Sequence, residues 1–154
     1  LGAISADHLL RTPTEDLTAL AEAGVIAVLL PGTAFGLGQH EYADARAMIA
    51  AGLPVALGTD LNPGTCYCES MPFIMALACR FMKMTPAEAI VASTVNAAYA
   101  IGHGSNLGRL QPGFMADLLV LEVEDYRHLA YRFGTNLVQK VIKHGNIVFT
   151  AIQG

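Results

Sequence analysis

The stretch GTDLNPGTCYCES, residues 58–70, concentrates chemically active side chains where an apolar run gives way to a predicted helix. A carboxylate at the C-terminal end of a parallel strand can bind a metal ion and accept a proton from an attacking water. Asp60 stands at such a place. Because Asp, Asn, Gly and Pro are also turn formers, position alone favours a turn residue and a metal ligand equally.

Further polar residues stand beside comparable strand ends. His8 follows a short apolar run, where it could hydrogen-bond to or polarise the group under attack. Hydrogen bonding at a helix start is the simpler alternative for His8 and is slightly favoured by position. Asn62, Gly64 and Thr65 offer an amide, an exposed backbone and a hydroxyl that could hold a carboxylate or amide of a small substrate. Asn-Pro-Gly is itself a turn signal, so the loop alone also accounts for them.

For the other side chains that can bind metal, a structural role is the favoured interpretation. Cys66 and Cys68 form one pair without a second pair, and loop packing explains them better than a soft-metal site. His40 could line the same active-site opening as Asp60, but a solvent-facing histidine at a helix start is the favoured interpretation. The remaining histidines are interpreted as structural or exposed: His103, His128 and His144.

Alternating strands and helices must position these residues. Apolar strands are predicted over Val25–Leu30 and Pro54–Gly58, after a first short strand before Asp7, and PGTAFGLGQH is predicted to be a glycine-rich loop. Strands that are apolar on both faces are typical of a parallel sheet covered by helices. A capping box at Thr12 predicts the helix between the first two strands, and a helix over Tyr42–Ala51 precedes the third. The polar clusters follow the strand ends, which is the active-site face of an α/β barrel.

The second half of the chain changes character. The helix MPFIMALACRFMKM after Ser70 is apolar nearly all round, which predicts burial on more than one side. A second capping box at Thr85 opens one predicted helix, AEAIVASTVNAAYAIG. A Pro-Gly turn, the strand in ADLLVLEV and a hairpin around Gly145 then predict a small β region. We therefore expect a barrel part at 1–105 and a β part at 106–154.

Composition limits the class of protein. The 154 residues are 53% hydrophobic and only 14% charged, whereas charged residues normally make up about a quarter. This surplus predicts that something covers part of the surface, yet no apolar run approaches the ~20 residues of a membrane-spanning helix. The net charge of −4 disfavours nucleic acid as the main partner. Three cysteines and no visible signal peptide favour a reducing cytoplasm.

Motifs in order along nearly the whole chain carry a family resemblance. They are SADHLLRT, LLPGTAFGLG, GTDLNPGT, ESMPFIMALACRFMKMTPAEAI, VNAAYAIG and LGRLQPGFMADLLVLEVEDYRHLAYRFGTNLVQKVIKHG. The chain resembles the imidazolonepropionases, a family of the amidohydrolase superfamily of metal-dependent hydrolases. The aspartate ending a strand and the terminal PG…ADLLVLE segment are shared across the superfamily. Asp-His-Leu, Leu-Pro-Gly and Asp-x-Asn-Pro-Gly-Thr are more specific.

The resemblance implies a fold and a set of site residues. The fold would be α/β, the last three βα units of a partial (β/α)8 TIM barrel, followed by helices and the C-terminal share of a small β-sandwich. Asp60 matches the family's metal-binding aspartate, which also shuttles the proton of the attacking water. His8 matches a histidine that assists at the substrate carbonyl. Asn62 and Gly64 match positions that hold the glutamate-like tail, and Thr65 matches a ring-contacting position.

The implied reaction is hydrolysis of the cyclic amide of 4-imidazolone-5-propanoate to N-formimidoyl-L-glutamate in histidine degradation. One zinc or iron ion, a small-molecule substrate, a homodimer and a cytoplasmic location are implied with it. The family's His-x-His pair, its further metal histidine and its upstream substrate contacts have no match here. We therefore expect the remaining ligands upstream, and these residues alone to be inactive. The alternatives are a cyclic amidase or nucleobase deaminase of the same superfamily, or a non-catalytic binding or assembly module.

Overall fold

A computed structural model of the chain describes residues 2–152. Its elements fall into a first part of alternating strands and helices and a second part dominated by an antiparallel sheet. In chain order they are β1 (Ser5–Asp7), α1 (Thr14–Glu22), β2 (Ile26–Leu29), α2 (Pro31–Gly36), α3 (Ala45–Ala50), β3 (Val55–Leu57), α4 (Met71–Phe81), α5 (Pro86–Ser93), α6 (Val95–Ala100), β4 (Leu118–Leu121), α7 (His128–Tyr131), β5 (Val138–Lys143) and β6 (Asn146–Thr150).

The first sheet is parallel, with its strands in the order β1-β2-β3. Ala6 pairs with Ala27, and Ala27 in turn pairs with Val55. Parallel strands that neighbour one another in chain order, each followed by a helix, are the arrangement found in an α/β barrel. The predicted α/β class with three βα units is therefore confirmed, although the second and third strands are shorter than the apolar runs that predicted them.

The main core lies on one face of the parallel sheet. Ala27, Leu29 and Leu57 are buried there against helices that include α4. Residues 74–78 of α4 are all buried, which confirms the prediction that this helix is covered on more than one side. α6 contributes to a smaller cluster on the opposite face, and its Asn96 Nδ2 donates a hydrogen bond of 2.8 Å to the carbonyl oxygen of Val55.

The helix starts agree with the sequence signals at one predicted capping box and depart from them at the other. The capping box that begins α5 is confirmed, because Thr85 and Glu88 exchange side-chain and backbone hydrogen bonds. The prediction of a capping box at Thr12 is wrong. α1 begins at Thr14 after Pro13, without any side-chain cap, and the carbonyl oxygen of Pro13 accepts a hydrogen bond from the Asp16 backbone instead.

Two further predictions about helices are wrong. The supposed loop PGTAFGLGQH contains α2, which starts with Pro31 at its first position, where the missing backbone N–H costs nothing. The helix predicted after Thr85 is two helices, broken at Thr94, where φ is −126° and ψ is −80°. The Thr94 hydroxyl donates back to the carbonyl oxygen of Ile90, a bond that often bends helices.

The second sheet is antiparallel, with its strands in the order β4-β5-β6. His144 and Gly145 have φ values of 50° and 78°, the left-handed conformations that a tight hairpin requires, and the predicted hairpin is confirmed. Every residue of β6 is exposed. Within residues 2–152, no helix combines the length and the apolar character needed to cross a membrane.

Candidate functional site

The C-terminal ends of the three parallel strands bring three polar side chains together. His8 follows β1, Thr33 lies in the first turn of α2 after β2, and Asp60 follows β3. His8 Nε2 lies 4.0 Å from Asp60 Oδ2. The Thr33 hydroxyl donates a hydrogen bond of 2.5 Å to the same carboxylate oxygen. The structure thus places the two residues predicted for catalysis side by side and adds Thr33 between their strands.

The backbone at both predicted catalytic residues is left-handed. His8 has φ of 65° and Asp60 has φ of 52°, a region that few residues other than glycine adopt. The His8 backbone N–H donates to the carbonyl oxygen of Val28, which anchors the loop after β1 to the neighbouring strand. Such conformations cost about 1–3 kcal/mol each and persist where surrounding contacts fix them, often at functional sites. Here two of the five non-glycine residues with this conformation among residues 2–152 are at the strand ends whose side chains meet.

Asn62 organises the loop that follows Asp60. Its Oδ1 accepts hydrogen bonds from the backbone N–H groups of Gly64 and Thr65, at 2.9 and 2.8 Å, and from the Thr65 hydroxyl at 3.2 Å. Its Nδ2 donates to the carbonyl oxygen of Asp60 at 2.7 Å. The Asn62 amide is therefore engaged in the turn in this structure. The substrate contacts expected of Asn62, Gly64 and Thr65 remain predictions.

α2 packs directly against the loop after β3. A Cβ atom at Gly32 would lie 2.7 Å from the Cys66 sulfur and 2.8 Å from Ile74 Cδ1, and one at Gly36 would lie 2.2 Å from the Thr65 carbonyl oxygen. Only glycine allows the helix and the loop to come this close. These contacts fix the position of Thr33 over Asp60.

Thr33 is the residue that sequence reasoning missed. Thr33 follows β2 as Asp60 follows β3, but a threonine after a strand carries no catalytic or metal-binding signal by itself. The segment was interpreted as a loop in which Leu-Pro-Gly, residues 30–32, carried the family resemblance, and the threonine beside it received no role.

The cysteine and histidine side chains elsewhere agree with structural interpretations. Cys66 is buried and its thiol donates to the Thr59 carbonyl oxygen at 3.1 Å. Burial raises the pKa of the Cys66 thiol, which disfavours the thiolate form that binds metals. Three histidines are exposed and a fourth is half-buried: His40, His103, His144 and His128.

The described part of the chain offers one candidate metal ligand, Asp60, rather than a complete site. Among residues 2–152, no three His, Cys, Asp or Glu side chains converge in a way that could hold an ion. Asp60 Oδ1 receives no hydrogen bond from any of these residues, and the side chain is 28% exposed. One free carboxylate oxygen suits one ligand position, whereas a catalytic zinc site normally takes about three protein ligands.

A small cavity lies beside this group. It measures about 230 Å³ and is lined by His8 and Thr33 together with apolar residues that include Leu30 and Leu37. Larger cavities of about 590 and 740 Å³ are lined by other residues, mainly of α4, α7 and the second sheet, and include none of His8, Thr33 and Asp60. A choice of site by cavity volume alone would therefore miss the place where His8 and Asp60 meet.

The amidohydrolase family model matches residues 2–149. This chain belongs to the amidohydrolase family. It is 51% identical over 148 residues to imidazolonepropionase from Herpetosiphon aurantiacus, covering 96% of this chain and 35% of that protein. Imidazolonepropionase from Shouchella clausii is 55% identical over 148 residues, covering 96% of this chain and 33% of that protein. The resemblance predicted from the motifs is confirmed, and the chain spans about a third of the length of these curated relatives.

Solved structures confirm the fold. An adenosine deaminase from Xanthomonas campestris with bound zinc superimposes with a TM-score of 0.84 over 95% of this chain and 37% of the deaminase chain. The sequence identity is 23%, so this likeness concerns the fold alone. The family match and this likeness together identify the three βα units as a portion of an amidohydrolase barrel, as expected from the motifs.

Proposed function

We propose that this chain is part of a metal-dependent hydrolase that opens the cyclic amide of 4-imidazolone-5-propanoate to give N-formimidoyl-L-glutamate, in histidine degradation. The observation that carries the proposal is Asp60. Its carboxylate lies at a parallel strand end with one free oxygen and His8 beside it, in a chain that is 51% and 55% identical to two imidazolonepropionases.

A divalent ion, zinc or iron, would polarise the amide and activate the water when bound. Asp60 suits one ligand position through Oδ1, because Oδ2 already accepts the Thr33 hydrogen bond. The structurally similar adenosine deaminase carries zinc, which supports a metal of this type. The other ligands would come from outside the 154 residues.

The side chains of this chain would move the protons. Asp60 would accept a proton from the attacking water and deliver it to the ring nitrogen that leaves when the amide C–N bond breaks. His8, whose side chain is 52% exposed, would donate a hydrogen bond to the oxygen on which negative charge develops. The two groups lie close enough to act on the same carbonyl from the strand ends on either side of β2.

The loop after Asp60 would contribute substrate contacts. Thr65 would contact the ring, and Asn62 with Gly64 would hold the propionate tail. Because Asn62 already bonds to Gly64 and Thr65, substrate binding at these groups would exchange hydrogen bonds within the loop for bonds to the ligand. We also propose a homodimer, on the strength of the family resemblance, and a cytoplasmic location, on the strength of the cysteine content.

A substrate panel tests the proposed function in a full-length protein that contains this chain. We expect turnover of 4-imidazolone-5-propanoate that is lost on chelation and restored by zinc or iron. Adenosine, guanine and cytosine serve as the comparison substrates. Ammonia release from one of these, without imidazolone hydrolysis, would replace the proposal with a deaminase, and inactivity on all of them with metal restored would favour a non-catalytic module.

A further inference from the structure

Among residues 2–152, only Thr33 donates a hydrogen bond to the Asp60 carboxylate. The distance from Thr33 Oγ1 to Asp60 Oδ2 is 2.5 Å, while His8 Nε2, at 4.0 Å, is too distant for a hydrogen bond. We propose that Thr33 is a positioning residue, whose hydroxyl holds Asp60 Oδ2 so that Oδ1 alone is presented to the cation and the water.

The hydroxyl of a threonine in a helix can donate to a carbonyl oxygen one turn earlier. Thr94 shows this habit, because its hydroxyl donates to the carbonyl oxygen of Ile90 four residues earlier. Thr33 lies in the first turn of α2, yet its hydroxyl reaches a carboxylate that is 27 residues away in sequence. The Thr33 bond therefore serves the contact between two strand ends rather than the stability of α2.

The packing around α2 makes this contact rigid. Gly32 and Gly36 flank Thr33, and each lies so close to the loop after β3 that a Cβ atom would clash with it. Thr33 itself is only partly buried and lines the small cavity with His8. Close packing on both sides of Thr33, against side chains at Gly32 and a backbone carbonyl at Gly36, thus holds its hydroxyl beside the cavity. This is the kind of support that a precisely oriented ligand needs.

The consequence concerns the orientation of the Asp60 carboxylate. An exposed aspartate can rotate about its side-chain bonds, whereas a carboxylate with one oxygen bound is restricted to one orientation. Partners that orient a metal ligand typically change metal affinity or activity by about 10–100-fold when they are removed. The effect on turnover rests on the proposed function; the effect on the Asp60 side chain does not.

The test compares Thr33→Val, which keeps the shape and removes the hydroxyl, with Thr33→Ser, which keeps the hydroxyl. Thr18→Val, at an exposed position of α1, is the control for the substitution itself. In the full-length protein we expect Thr33→Val to weaken zinc binding, measured by chelator competition, and to lower kcat, each by about 10–100-fold with little change in KM. Thr33→Ser and Thr18→Val should stay close to the unsubstituted protein.

Crystal structures of the same variants supply a readout that needs neither metal nor turnover. We expect one Asp60 orientation in the unsubstituted protein and in Thr33→Ser, and several in Thr33→Val; should Thr33→Val not fold, Thr33→Ala gives the same readout. A single unchanged Asp60 orientation without the hydroxyl would overturn the proposal. Absence of hydrolysis by the unsubstituted protein would instead refute the proposed function, and the Asp60 orientation would still decide the role of Thr33.

Discussion

The two three-stranded sheets of this chain differ in where their polar residues can gather. In the parallel sheet every strand ends on the same side, so the residues that follow β1, β2 and β3 meet at one edge. In the antiparallel sheet successive strands end on opposite sides, so the residues that follow neighbouring strands do not share one edge. β3 is buried at all three positions, whereas β6 is exposed at all five. Strand direction, more than burial, explains why the candidate chemistry lies at the first sheet.

Asp60 at the first sheet differs in the same way from two aspartates near the second sheet. Asp117 accepts hydrogen bonds from Lys143 and from the His144 backbone, and Asp125 is paired with Arg127. These two carboxylates are neutralised by cations and serve local structure. Asp60 faces a hydroxyl and a distant imidazole, and one of its oxygens has no hydrogen-bond partner among residues 2–152. A carboxylate that has no cation partner and has one oxygen open can still bind an ion.

The largest expected effect separates these aspartates by activity. Asp60→Asn in the full-length protein should lower kcat by at least about 10²–10⁴-fold, because the amide cannot accept the water's proton. Asp117→Asn is the matched control and should leave kcat unchanged. Steady-state kinetics of the two variants decide the matter. An Asp60→Asn protein that keeps most of its kcat would return Asp60 to the role of a turn former.

The second prediction separates the sheets by stability. Leu29→Ala in β2 should lower the free energy of unfolding by about 2–5 kcal/mol, because Leu29 has no exposed surface and its loss leaves a cavity. Val148→Ala in β6 should change it by no more than about 0.5 kcal/mol, since Val148 is 62% exposed. Urea unfolding monitored by circular dichroism measures both. A large loss for Val148→Ala in the full-length protein would show that β6 is covered there.

A third prediction concerns the contact that holds α2 against the loop after β3. Gly36→Ala should cost about 1–3 kcal/mol, the usual range for overpacking, because its Cβ would meet the Thr65 carbonyl oxygen. Gly134→Ala is the matched control, since nothing lies within 4 Å of its would-be Cβ. Thermal unfolding of both variants gives the comparison. Equal stabilities would mean that α2 can shift freely and does not hold Thr33 in place.

Much of this arrangement was predictable from the sequence, and the exceptions share a physical cause. The apolar runs predicted the parallel strands, and chain direction then placed His8 and Asp60 at one edge. The helix α2 was missed because two glycines in PGTAFG disfavour a helix on local propensity. Those glycines are explained only by the approach of the loop after β3. Contacts between segments distant in sequence leave no local pattern, so Thr33 was missed together with its helix.

Contacts with distant groups are also what the sequence leaves open for Asn62. Its turn signal was evident, and the structure shows the full set of hydrogen bonds by which its side chain closes the loop. Whether the amide also meets a ligand depends on groups outside this part of the chain, which no local pattern encodes. The turn of residues 60–65 was thus predictable from composition, whereas its contacts with a substrate remain a prediction.

The smallest expected effect is the pH dependence of the second region. The pairing with Arg127 lowers the pKa of Asp125 from 3.8 to about 2. A carboxylate with a depressed pKa in the folded state stabilises the protein above its unfolded pKa, and this contribution is lost as the pH falls toward the folded value. Asp125→Asn should therefore be slightly less stable than the unsubstituted protein at pH 7, and the difference should disappear between about pH 4 and pH 2.

The difference should also shrink at high salt, because the Asp125–Arg127 pair lies at the surface. Chemical unfolding at several pH values and two salt concentrations measures it. Thr18→Val, with no titrating group removed, should show no such dependence. A stability difference for Asp125→Asn that stays constant from pH 7 to pH 2 would mean that the pair contributes through its shape rather than its charge. The contrast between a neutralised aspartate in the second region and an open one at the first sheet would then rest on Asp117 alone.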